Sequence, residues 1–178
     1  MQCLILDNKE VKAAVDELTT VLGSKDAAYY VVSENNGYAI DQAPNGEPSK
    51  LFSDLLSHYN GNREQAIKAK AKVFTDEFKS WFGDWINNVG GSSKIVDENG
   101  EPLIVYHYSD NPQLNEFSIE FDNYFSTIKG GTKKAIFFTG NSNPKQGTIL
   151  DRNYKYPVFL NARQTIEKTG TKDELRSS

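Results

Sequence analysis

One cysteine, Cys3, and two histidines, His58 and His107, are all that 178 residues contain of the side chains that build disulfide frameworks and ordinary zinc sites. Neither a stapled scaffold nor a Cys/His metal centre is expected, so any chemistry should be metal-free. Charge of one sign is also lacking: 20 basic residues face 24 acidic ones, a formal net charge of −4. No cationic field exists to gather nucleic acid or an anionic membrane surface. Long apolar runs are missing too. The opening run, Cys3 to Leu6, is far too short for a signal peptide or a membrane span, and no basic stretch precedes it. The expectation is a soluble chain made in a cytosol. What is present is 38% hydrophobic and 12% aromatic content, enough to bury one core or two small ones.

Helical signals fill the first half. Asp7 and Glu10 form a capping box before Val11, Val15, Leu18 and Leu22, and Gly23 supplies the stop. Tyr29 to Val32 is β-prone by residue type, while Ser24 and Asp26 offer caps for a short helix; the run is too short for periodicity to decide. Turn chemistry comes next, at Asn35-Asn36-Gly37 and from Ala43 to Pro48. Ser49 then opens a helix with Phe52, Leu55, Leu56 and Tyr59 on one face, ended by Asn60-Gly61. Asn62 and Gln65 start another through Val73, whose lysines at 68, 70 and 72 are read as its solvated side rather than a nucleic-acid stripe. Thr75 caps a last helix carrying Phe78, Trp81 and Phe82, closed by Gly83-Asp84-Trp85. This aromatic cluster reads as core, stapling the helical part onto the next unit. Gly90-Gly91-Ser92-Ser93 reads as a flexible joint and places a boundary near residue 90, with a helical leader over 1–90 and a second domain over 91–178.

Beyond the joint the period changes to two. Lys94-Ile95-Val96 and Leu103 to His107 flank Asp97-Glu98-Asn99-Gly100, a strong hairpin signal whose acidic residues, Asp97, Glu98 and Glu101, read as solvated. An aromatic-rich segment runs from Phe117 to Phe125. Strand-like runs come at Ala135 to Thr139 and Tyr156 to Asn161, and a polar tail runs from Lys168.

Phe78 to Trp85, with Ser93 to His107 after it, resembles the junction leading into the ADP-ribosyltransferase domains of large polyvalent proteins from phages, crAss-like phages included, and other mobile elements. In that family a first strand ends in Tyr-His-Gly-Thr, a later one reads Gly-Ile-Tyr-Phe-Thr, and another begins Pro-Val-aromatic-Leu-Asn. The matching segments here are Tyr106-His107-Tyr108-Ser109, Ala135-Ile136-Phe137-Phe138-Thr139 and Pro157-Val158-Phe159-Leu160-Asn161, in order over roughly residues 74 to 167. The resemblance implies an α+β chain: a helical leader, then the opening part of an ADP-ribosyltransferase-like antiparallel sheet. It also implies NAD as substrate, held by His107, Tyr108, Ser109, Phe137 and Phe138, with His107 as the ribose-binding histidine.

Two departures matter. Tyr108 replaces a glycine where close approach to nicotinamide is wanted, and Phe137 replaces a tyrosine and so lacks its hydroxyl. The catalytic glutamate is not found: Glu167 and Glu174 lie too near the Pro-Val strand, in sequence without β alternation. Losing that carboxylate costs about 10²–10³ in rate by analogy with other charge-stabilising groups, so the 178-residue chain should be inactive or very slow. Either further strands complete the enzyme, or the chain is a non-catalytic virion or cargo protein ejected into a bacterial host. An unfinished sheet should expose an edge, so a second protein subunit, virion components included, is expected near Trp81, Phe82 and Trp85 or the Phe137 strand. No membrane and no specific nucleic acid are expected as partners, and the setting implied is the virion or the host cytoplasm.

Overall fold

The computed structural model describes residues 9–117, 136, 138–140, 142 and 152–165. It is an α+β chain that divides into two compact units. The first comprises Met1–Ile104 with Phe159–Gln164, and the second Val105–Val158 with Thr165–Ser178.

The first unit is helical where caps and apolar spacing coincide. Its helices are α1 (Lys9–Leu22), α2 (Lys25–Glu34), α3 (Lys50–His58), α4 (Arg63–Ala71) and α5 (Asp76–Phe82). Ser24, Ser49, Asn62 and Thr75 each accept a backbone N–H from the first turn of the helix they open. The Asp7 cap of α1 lies outside the described residues, but Gly23 ends that helix at φ +71°. Tyr29 to Val32 is helical, as part of α2, because the Ser24 cap and the burial of Ala28, Val31 and Val32 on one face outweigh the β preference of the residue types. α1 packs on α2 and α4, and α3 on α4. Arg63 at the start of α4 reaches Glu17 of α1 at 2.6 Å and Asp41 at 3.3 Å.

Lys70 is not on a solvated face. Its side chain is fully buried, and so is that of Glu101, whose Oε1 lies 2.8 Å from the Lys70 ammonium. The ammonium also donates to the carbonyl of Gln42 at 2.9 Å and to Ser49 Oγ at 2.7 Å. The Ser49 hydroxyl donates in turn to Glu101 Oε2 at 2.7 Å and accepts the Phe52 N–H at 3.0 Å, which exhausts its hydrogen-bonding capacity. Helix α4, the α3 cap and the turn at residue 101 thus meet in one buried polar knot. The lysines at 68, 70 and 72 differ because the last turn of α4 faces the 41–49 loop, which supplies acceptors at position 70 alone. Asp97 shares this turn: its Oδ1 accepts the N–H groups of Asn99 and Glu101, and burial pushes its carboxyl up from the ordinary range.

By its internal contacts the chain divides at Ile104–Val105. Val89–Gly91 forms a 3-10 turn, and Ser92 and Ser93 are buried. Ser93 Oγ donates to the Leu160 carbonyl at 2.7 Å, and Lys94 N–H to that of Ala162 at 2.7 Å, so this segment is tied down rather than loose. Gly83, at φ +102°, lets the chain pass so close that a Cβ there would sit 2.4 Å from Ser92 Cα. The hairpin is short, a single bridge Val96↔Pro102 with Leu103 N–H bonded to the Ile95 carbonyl. In the aromatic cluster Phe82 and Trp85 are core, and Phe78 stacks on Phe82 at 5.2 Å and meets Phe159 edge-on at 5.3 Å. Fully burying a side chain such as Phe82 stabilises by about 1.5–3 kcal/mol. Trp81 is 48% exposed, so of the three residues expected near a partner only this one presents an open face.

The second unit holds an antiparallel pair, β1 (Val105–Ser109) and β2 (Tyr154–Val158). Their register sets Tyr106 opposite Pro157 and His107 opposite Tyr156. Proline has no N–H to give, so it tolerates only a non-hydrogen-bonded pairing. Tyr106 accordingly turns both backbone groups the other way, to Thr139, at 2.8 and 3.0 Å. Among the described residues, no helix is long and apolar enough to cross a membrane.

Candidate functional site

Strand alternation sorts the side chains of β1. Tyr106 and Tyr108 share a face with Lys155, whose ammonium lies 5.2 Å from the Tyr106 ring centroid. His107 and Ser109 share the opposite face with Tyr156. Tyr156 sends its hydroxyl to the Asn111 carbonyl and accepts the Leu114 N–H at 3.4 Å, which folds the 110–117 segment back over the His107 face.

Between that segment and the strand lies a cavity of about 630 Å³, bordered by His107, Tyr108, Ser109, Leu114, Glu116, Phe117 and Arg152 among others. The size suits a ligand of ordinary small-molecule dimensions. His107 and Phe117 meet edge-on with centroids 5.1 Å apart, and Phe138 stands 5.7 Å from His107 and 5.3 Å from Phe117. Of these three rings, His107 and Phe117 border the cavity. Ser109 Oγ accepts the Asn111 N–H at 3.1 Å and so steadies the turn that leaves the strand. Asp110 and Arg152 also border the cavity; Asp110 pairs with Arg152 and accepts the Asn153 N–H at 3.3 Å. The Arg152 guanidinium and the Asn153 backbone hold the Asp110 carboxyl below the usual carboxylate range.

Of the residues expected to hold nucleotide, His107, Tyr108 and Ser109 border this cavity, and Phe138 is a ring neighbour of His107. Phe137 lies outside the described residues, as do Glu167 and Glu174. The register bears on Tyr108: its ring belongs to the Tyr106 face, away from His107, where burial raises its hydroxyl pKa. Sequence reasoning missed Phe117, Glu116, Asp110 and Arg152. Phe117 opens an aromatic-rich stretch, which was its only signal; the others are charges in polar loops that nothing local distinguishes. No group of three or more His, Cys, Asp or Glu side chains among the described residues is placed to hold a metal ion. No family model, curated protein or solved structure matches the chain.

Proposed function

We propose that the second unit is an ADP-ribosyltransferase-like NAD site that binds the dinucleotide without cleaving it efficiently. The observation that carries this reading is the placement of His107 on a strand flanked by the two other motif segments, with its ring among Phe117 and Phe138 at a cavity of suitable size. A histidine held this way offers a nitrogen to ribose hydroxyls, while rings beside it provide stacking for a flat heterocycle. Turnover is expected to be poor because, among the described residues, no carboxylate is matched to the family glutamate, and Glu167 and Glu174 lie too near the Pro-Val strand in sequence. In this reading the protein is of the phage or mobile-element polyvalent type, acting in the virion or the bacterial host cytoplasm. A second reading, a non-catalytic virion or cargo protein, draws on the exposed Trp81 as a contact for another subunit.

Calorimetric titration with NAD tests the choice, with His107→Ala as control. Saturable binding that the variant weakens at least tenfold supports the nucleotide site. Absence of binding at millimolar NAD refutes it and leaves the structural or cargo role.

A further inference from the structure

Four Asn-Gly steps occur in the chain, at Asn36-Gly37, Asn45-Gly46, Asn60-Gly61 and Asn99-Gly100. At such a step no Cβ shields the glycine nitrogen, so once it sheds its proton it can reach the carboxamide carbon of the preceding side chain. The fold holds all four nitrogens alike: their N–H groups donate to the carbonyls of Val32, Ala43, Leu56 and Asp97 at 2.8, 2.9, 2.8 and 3.0 Å. The carboxamides are not held alike. Asn36 Nδ2 donates to the Pro44 carbonyl at 2.9 Å. Asn45 Nδ2 donates to Asn99 Oδ1 at 3.2 Å while its Oδ1 accepts the Glu47 N–H at 3.0 Å, and Asn99 Nδ2 donates to the Pro48 carbonyl at 3.2 Å. Asn60 is exposed, and its carboxamide makes no hydrogen bond among the described residues. Asn36 is its matched control, since each lies just past a helix, α2 or α3, in the left-handed region at φ 55° and 52°, with the next glycine bonded back to that helix.

We propose that Asn60 is a site of spontaneous deamidation, the first of the four to convert in the folded protein. The Gly61 nitrogen, its proton taken by solvent base, attacks Asn60 Cγ; a C–N bond closes a succinimide ring and the carboxamide nitrogen leaves as ammonia. Water then opens the ring at either carbonyl, leaving aspartate or isoaspartate. Ring closure requires the Gly61 bond to Leu56 to open, and a helix end opens more readily than a helix middle. Nothing stands within 4 Å of where a Gly61 Cβ would lie, so the turn has room to move. At Asn36 the same opening must also break the bond to Pro44, and one net hydrogen bond is worth roughly three- to tenfold in such an equilibrium. The product adds a carboxylate at the C-terminal end of α3, where the helix dipole already concentrates negative charge. Isoaspartate also inserts a backbone carbon just before the Asn62 cap of α4.

Incubation of the full chain in warm, mildly alkaline buffer, with and without concentrated urea, tests the assignment. Peptide mapping by mass spectrometry, with methyl labelling specific for isoaspartate, then reads each of the four steps in the same sample. The expected result in the folded chain is conversion at Asn60 roughly three- to tenfold faster than at Asn36, and faster again than at Asn45 and Asn99, which are held by more bonds. In urea, where those bonds are gone, the four rates should converge. Asn60→Gln, whose longer side chain does not close the same ring, should remove the product at this step and leave the other three rates unchanged. Conversion at Asn36, Asn45 or Asn99 as fast as at Asn60 in the folded chain, or no conversion at Asn60 there, overturns the assignment. A spread of rates that persists in urea overturns its basis in the fold.

Discussion

Replacing Lys70 by methionine should destabilise the first unit more than any surface change. The substitution keeps the length of the side chain but deletes a 2.8 Å ion contact with Glu101 and hydrogen bonds of 2.9 and 2.7 Å to Gln42 and Ser49. Glu101 then remains fully buried with one hydroxyl as its donor. Leaving a buried charge uncompensated costs about 3–5 kcal/mol. With a urea dependence of about 1–3 kcal/mol per molar, the denaturation midpoint should fall by about 1–5 M. Trp85 reports on the same unit, since its indole N–H is bonded to the Val73 carbonyl at 3.0 Å, so tryptophan fluorescence is a direct assay. The reverse change, Glu101→Gln, should cost less, about 1–3 kcal/mol, because Lys70 keeps Gln42 and Ser49 as acceptors. The double variant Lys70→Met/Glu101→Leu should recover most of the loss, as apolar replacements of buried ion pairs commonly do. A Lys70→Met protein within about 1 kcal/mol of the parent, or a double variant as unstable as the single one, would falsify the account of the knot.

Two further outcomes rest on geometry in the same unit. Gly83→Ala places a Cβ 2.4 Å from Ser92 Cα on a backbone at φ +102°, so strain and overlap together should cost about 2–4 kcal/mol, seen as a lower thermal midpoint; a melt indistinguishable from the parent's would contradict the close approach. The Tyr30 hydroxyl shares its one proton between the Phe74 carbonyl and Asp76, and burial, with the Asp76 bond next in size, pushes its pKa up to about 12, so Tyr30→Phe should lose about 1 kcal/mol at neutral pH. Because the folded pKa is raised, that advantage is present below about pH 10 and disappears as pH climbs towards 12, so parent and variant should converge there; an advantage that grows with pH is the result that rules this out.

Several local features were legible because neighbouring residues decide them. Ser24, Ser49, Asn62 and Thr75 cap helices because an oxygen on a short side chain reaches a backbone N–H two or three residues on, whatever lies further away. Gly23 and Asn60-Gly61 end helices because they tolerate positive φ. The strand before Ser109 and the strand over Tyr156 and Val158 arise from aromatic and β-branched residues in alternation. Tyr29 to Val32 was undecided because its four residues suit either state, and burial against α1 settles it.

The cavity was legible only in part. His107 was accessible through its motif, but Glu116 and Arg152 stand far apart in sequence, and only the folding back of residues 110–117 brings them to one space. Lys70 shows the same limit in the core, since a lysine among lysines at helical spacing looks solvated until Gln42, Ser49 and Glu101 converge on it. The sequence alone therefore determined caps, stops and strand-forming stretches, since these depend on side chains within a few residues of the backbone they act on. The tertiary structure decided which polar residues are buried, where the two units divide and what faces His107, since each depends on groups tens of residues apart whose meeting no local preference encodes.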